Sequence, residues 1–202
     1  MRLYLFDWNG TLLDDMPACY QAFCKTFTTF GKEPITQDEF YSQHEPETLA
    51  AYRAVGITAP KEELMALWSK EYESQIDELQ LAPETIETLT TLQERDATLG
   101  LISGEQIGRG VRLMKKLGVF KFFRYIQFGA NNKSHYIEQV CALGRVPQGE
   151  CCYLGNVPSD IRFAQKAGVT AIAFITPHFD PRIMMAAKPD KIISQIDQIL
   201  HV

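Results

Sequence analysis

A chain of 202 residues, 46% hydrophobic and with a formal net charge of −5, has the length of one domain, or of one domain carrying a modest insert, and can bury a sizeable core. The acidic balance argues against a general binder of nucleic acid or of an anionic membrane surface, while leaving small anionic substrates open, since the local charge of a site decides that. No apolar run approaches the length that spans a bilayer.

The chain begins with a short apolar run, Leu3–Phe6, that ends abruptly in Asp7-Trp8-Asn9-Gly10-Thr11. Such a run reads as a buried strand of a parallel sheet, with Asp7 at the carboxyl end, where open α/β sheets place their ligands. Gly10 permits a sharp turn, and Thr11 offers a hydroxyl and a backbone N–H to an anion. From Met16 to about Leu79 apolar residues recur at three- and four-residue spacing, which predicts helices broken at Gly31–Pro34, His44–Pro46 and Gly56–Pro60. Phe23, Phe27 and Phe30, at helical spacing, read as the core of this helical segment or as its interface with the main domain. Leu81-Ala82-Pro83 marks a return to the main domain.

Alternation follows. Helices are expected over Glu84–Arg95, Gln106–Leu117, Ser134–Leu143 and Ser159–Ala167. Strands are expected over Ala97–Ile102, Tyr125–Phe128, Cys151–Leu154 and Thr170–Ile175, with an edge strand at Lys191–Ile193 and a terminal helix. Strands alternating with helices of this length mean βαβ units, hence an α/β protein whose parallel sheet is covered on both faces.

Three later strands also finish in polar residues: Ser103-Gly104-Glu105, then Asn131-Asn132-Lys133 shortly after Gly129, then Gly155-Asn156-Val157-Pro158-Ser159-Asp160. In a parallel sheet all four ends open on one edge. Asp7, Asn9, Thr11, Ser103, Lys133, Asn156 and Asp160 then converge on one crevice, a candidate site. Cys19, Cys24, Cys141, Cys151 and Cys152 lack CxxC spacing, and the opening apolar run is cut by Asp7, Asp14 and Asp15, unlike a signal peptide. The chain therefore reads as reduced and cytoplasmic. Gly108-Arg109-Gly110 lacks the context of a dinucleotide fingerprint, and Lys115-Lys116 reads as a solvated helix face.

Over almost its whole length the chain resembles the haloacid dehalogenase-like hydrolases. Asp7-Trp8-Asn9-Gly10-Thr11-Leu12 is similar to the family's nucleophile motif, Asp-x-Asp-Gly-Thr-Leu. Leu101-Ile102-Ser103 resembles its second motif, Lys133 its third, and Leu154-Gly155-Asn156-Val157-Pro158-Ser159-Asp160 its acidic fourth. The resemblance implies a Rossmann-like three-layer α/β/α core over residues 1–15 and 81–202, with an all-helical cap over 16–80 like those of phosphoglycolate-phosphatase-like members. It implies a phosphatase of a small phosphorylated metabolite, working as a monomer or a homodimer with Mg²⁺. Asp7 is then the nucleophile, forming an aspartyl-phosphate, and Gly10, Thr11, Ser103, Gly104 and Lys133 bind the phosphate. Asp7, Asn9, Asn156 and Asp160 stand at the metal positions, and the cap excludes water and chooses the leaving group.

Two family acids are amides in this chain, Asn9 and Asn156. An amide oxygen still coordinates Mg²⁺, but as a neutral, weaker ligand, whereas Asn9 cannot do general acid–base work, whose loss typically removes ~10²–10⁴-fold in rate. Glu105, His44, Glu45 and His178 are candidates to supply the proton, and each reads more simply as an exposed, solvated or structural residue. Two alternatives follow: an impaired member that binds a phosphorylated ligand or a protein without turnover, and a metal-independent haloacid dehalogenase. The Asn156-to-Asp160 spacing and the want of a suitable cap arginine, Arg53 being the only one there, speak against the dehalogenase.

Overall fold

The computed structural model describes residues 2–42, 48–176 and 180–202. Strands β1 (Leu3–Phe6), β4 (Thr98–Ile102), β5 (Tyr125–Gln127), β6 (Cys151–Gly155), β7 (Thr170–Phe174) and β8 (Lys191–Ile193) form a six-stranded sheet in the order β5-β4-β1-β6-β7-β8. Every pairing in it is parallel. The remaining strands, β2 (Leu13–Asp14) and β3 (Gln80–Leu81), make an antiparallel ribbon in which Leu13 faces Leu81 and Asp14 faces Gln80.

Strand β1 is central because it is apolar on both faces, as a parallel strand covered by helices must be. Leu3 and Leu5 join the cluster built from Ile137 and Val140 of α7 (Lys133–Gly144) and Ile161 and Ala164 of α8 (Pro158–Lys166). Phe6 meets Phe123 edge to face at 6.1 Å. Helix α5 (Thr85–Glu94) packs on β4, and α6 (Ile107–Lys116) follows β4 in the chain. Strand order reverses about β1, whose neighbours β4 and β6 come from opposite halves of the sequence. This is the switch point beside which such sheets bind ligands.

Residues up to Asp14, 80–176 and Pro181–Val202 form one compact unit, and Asp15–Leu79 belongs to a second. The second unit is helical: α1 (Met16–Thr29), α2 (Gln37–Ser42), α3 (Thr48–Ala54) and α4 (Lys61–Ser74). Phe23, Phe27, Tyr52 and Leu64 fill its core, with Phe23 and Phe27 rings 4.5 Å apart and Phe30 packed against the cluster. Tyr72 donates to the buried Asp15 carboxylate at 2.7 Å, tying α4 to the start of α1. The expected breaks at 31–34 and 56–60 fall between these helices, and the break at His44–Pro46 lies outside the described residues.

The predicted helices and strands of the α/β half are present with ends displaced by a residue or so. The differences are short elements. The β2–β3 ribbon and α9 (Pro181–Ala186) were not anticipated, and the terminal helix is a 3-10 stretch, Ile196–His201. Two-residue strands carry too little periodicity to be read. No helix among the described residues is long and apolar enough to cross a membrane.

Candidate active site

Asp7 follows β1 directly, and its backbone N–H donates to Leu154 O at 2.9 Å, which holds it at the carboxyl edge beside β6. The chain then folds over itself: the N–H groups of Thr11, Leu12 and Leu13 all point to the Trp8 carbonyl, with Gly10 at φ 66°. Glycine takes that positive φ without the strain that a side chain would bring. Thr11, fully buried, donates its hydroxyl to Asn156 Oδ1 at 3.2 Å, joining the first turn to the loop after β6.

Lys133, the first residue of α7, is only 8% exposed. Its ammonium lies 2.9 Å from Asp7 Oδ1 and 2.6 Å from Asp160 Oδ1, and 5.7 Å from the centre of the Tyr153 ring. Tyr153 donates its own hydroxyl to Ile102 O at 2.9 Å. Asp160, in the first turn of α8, uses its second oxygen to accept from the Val157 N–H at 3.3 Å. Gly155 makes this possible, because a β-carbon there would fall on the Asp160 side chain.

One cation therefore serves two buried carboxylates. Burial pushes the Asp7 carboxyl up from 3.8 to about 7, with Lys133 pulling it down and Asp160 pushing it up further. For Lys133 burial works to remove the charge, but Asp160 and Asp7 outweigh it and hold the ammonium above its ordinary range. The cluster is left with an excess of negative charge that one more cation would offset.

The loop after β4 meets the first turn through Asn9. Ser103 is buried and pinned by the bonds Ser103 N–H to Gln127 O and Ala130 N–H to Ser103 O, both 2.9 Å. Its hydroxyl donates to Asn9 Oδ1 at 3.5 Å and accepts from the Glu105 N–H at 3.2 Å. Gly104 stands exposed at the rim. Glu105, expected as an exposed loop residue, is 7% exposed. It accepts from Asn9 Nδ2 at 3.1 Å through Oε2, and from Arg109 Nε and Nη2 at 2.9 and 2.7 Å through Oε1. Arg109 lies one helical turn on, the i,i+4 spacing that pairs charges.

The structure thus brings Asp7, Lys133 and Asp160 into one cluster, links Thr11 to Asn156, and links Asn9 to Ser103. Tyr153 and Arg109 join them without having been picked out, and Glu105, weighed as a proton donor but read more simply as an exposed loop residue, joins them buried. Tyr153 is hidden in an apolar strand, and only the i,i+4 spacing of Glu105 and Arg109 hints at that pair. Of the other candidates for proton transfer, His44, Glu45 and His178 lie outside the described residues. No cluster of three or more His, Cys, Asp or Glu side chains suited to a metal occurs among the described residues. The oxygen donors present, Asp7, Asp160 and the Asn156 amide, nonetheless suit Mg²⁺, which prefers one or two carboxylates and takes further oxygens from phosphate and water.

A family model for haloacid dehalogenase-like hydrolases matches residues 4–174. A phosphoglycolate phosphatase of Synechococcus elongatus is 22% identical over 204 residues, covering 100% of this chain and 96% of its own length. A pyrophosphatase of Listeria monocytogenes is 22% identical, with 98% and 94% covered. Among solved structures, a haloacid dehalogenase-like family protein from Streptococcus pneumoniae superposes with a TM-score of 0.85 at 20% identity, covering 100% and 97% of the two chains. A haloacid dehalogenase-like protein from Agrobacterium tumefaciens gives 0.81 at 19%, covering 100% and 96%. At these identities the structural likeness speaks for the fold.

Proposed function

The chain belongs to the haloacid dehalogenase-like hydrolase family, and from that premise we propose that it is a phosphatase of small phosphorylated metabolites that works through an aspartyl-phosphate on Asp7. The observation that carries the reading is the Asp7–Lys133–Asp160 cluster: a buried carboxylate at the sheet's carboxyl edge with a buried ammonium 2.9 Å away. An oxygen of Asp7 attacks phosphorus as the bond to the leaving oxygen breaks. Water then attacks the same phosphorus, the Asp7–phosphorus bond breaks, and inorganic phosphate leaves with the carboxylate restored. Lys133 offsets the charge of nucleophile and phosphate, while the Thr11 and Ser103 hydroxyls and the backbone N–H of Gly104 receive the phosphate oxygens.

Asp7, the Asn9 carbonyl and the Asn156 amide oxygen would hold Mg²⁺, supported by Asp160. Bound there, the ion would draw in the phosphate and neutralise developing charge. With an amide at residue 9, no side chain at that position carries a proton to the leaving oxygen. Substrates whose leaving groups need little protonation, such as aryl phosphates and pyrophosphate, are therefore hydrolysed faster than alkyl phosphates.

The test is phosphate release from phosphoglycolate, pyrophosphate, p-nitrophenyl phosphate and simple alkyl phosphates, with and without Mg²⁺, beside Asp7→Asn. Release that needs both Asp7 and Mg²⁺ and follows leaving-group acidity is the expected result. A folded protein that binds these compounds without releasing phosphate overturns the reading in favour of a non-catalytic binder. Halide release from short haloacids would move it to a dehalogenase.

A further inference from the structure

The amide of Asn9 is gripped at both ends. A carboxylate accepts hydrogen bonds and does not donate them, so Glu105 Oε2, 3.1 Å away, dictates that Nδ2 faces it. The carbonyl end Oδ1 is thereby turned to Ser103, whose hydroxyl donates to it. Glu105 is in turn immobilised: Arg109 holds Oε1 with two N–H groups, the Gln106 backbone N–H donates to the same oxygen, and the Glu105 N–H is spent on Ser103. The loop carrying this arrangement is stitched to the next one by Gly129 N–H to Glu105 O at 2.9 Å. The reach from residue 9 to residue 105 therefore spans a fixed gap.

We propose that Glu105 is a positioning residue that acts through Asn9, and that the pair is a matched set in which one of the two positions, and not both, holds a carboxylate. With both groups ionised, a carboxylate at residue 9 would face the carboxylate at 105 with no hydrogen to donate, and like charges at hydrogen-bond distance repel. Moving the carboxylate from 105 to 9 reverses the bond instead of breaking it: a glutamine at 105 donates its amide to an aspartate at 9. The amide at residue 9 is thus the partner that a buried, Arg109-held Glu105 requires. The same swap would put a proton-carrying group where Asn9 stands, and to that extent the inference rests on the phosphatase reading.

The experiment is a cycle of Asn9→Asp, Glu105→Gln and the double variant, compared with the parent in melting temperature and in kcat and KM for an aryl and an alkyl phosphate. Asn9→Asp alone lowers Tm by roughly 5 °C, and adding Glu105→Gln recovers most of that loss. The double variant raises kcat by about tenfold or more on the alkyl phosphate, less on the aryl one, with KM little changed, as expected for restored proton delivery. Asn9→Asp alone gives no comparable gain.

Additive losses in Tm, or an equal kcat gain from Asn9→Asp alone, overturn the inference. Coupled Tm values with no phosphate release from any of the four proteins sink the phosphatase reading and leave the pairing standing. Should neither carboxylate variant fold, Glu105→Ala decides. The Asn9 side-chain amide protons then exchange with solvent about tenfold faster than in the parent, and unchanged exchange overturns the pairing.

Discussion

The ammonium of Lys133 and the carboxylate of Asp160 are 2.6 Å apart, and Asp160 has no exposed surface at all. Removing the cation leaves two carboxylates buried without their shared partner, whereas removing Asp160 leaves Lys133 still paired with Asp7. Lys133→Met therefore costs about 3–5 kcal/mol of stability at neutral pH and Asp160→Asn about 1–3 kcal/mol. The double variant loses less than the sum, because each change removes what the other leaves stranded. Urea unfolding of the four proteins checks the order, and equal losses for the two single variants would contradict it.

Asp7, the proposed nucleophile, is held at a cost to the fold. Its carboxyl is raised by burial from 3.8 to about 7, so the folded state binds that proton more tightly than the unfolded chain. The resulting stability is present below the unfolded value and is lost as pH rises through the folded one. An asparagine has no such loss. Relative to the parent, Asp7→Asn gains several °C in Tm between about pH 5 and pH 8, in buffer without divalent ions, while phosphate release falls to background. A Tm difference that is the same at both pH values would rule this account out.

Gly155 ends β6 where the Asp160 side chain fills the space a β-carbon would take. Gly155→Ala forces Asp160 aside and costs about 1–3 kcal/mol through overpacking. Because Asp160 positions Lys133, kcat falls by about tenfold or more while the sheet remains intact. Circular dichroism, unfolding and turnover measured on one preparation test this together. A variant with parental kcat would show that Asp160 need not be held so closely.

The parts of this molecule legible in the sequence are those encoded locally. Apolar runs closing in Asp7, Ser103 and Asn156 announce buried strands with polar carboxyl ends, and the helices between them announce a parallel sheet. The ends of such strands must share an edge, so the gathering of Asp7, Lys133 and Asp160 followed from topology. Glu105 was different. A carboxylate just past a turn is solvated in most proteins, and what buries this one is Asn9, 96 residues earlier, with Arg109. That long-range partner appears only once β1 and β4 lie side by side. Tyr153 was hidden for the converse reason: one polar atom in a run of apolar residues has the signature of core.

In the β2–β3 ribbon Asp14 lies directly across from Gln80, so the helical segment between them leaves and rejoins the ribbon at neighbouring positions. A tight turn of about two residues suffices to close an antiparallel pair of this kind. The helical segment between is consequently a cassette. Lengthening or exchanging it re-routes no strand of the six-stranded sheet, and under the proposed function the residues assigned to chemistry and the segment assigned to substrate choice lie on separate stretches of the chain.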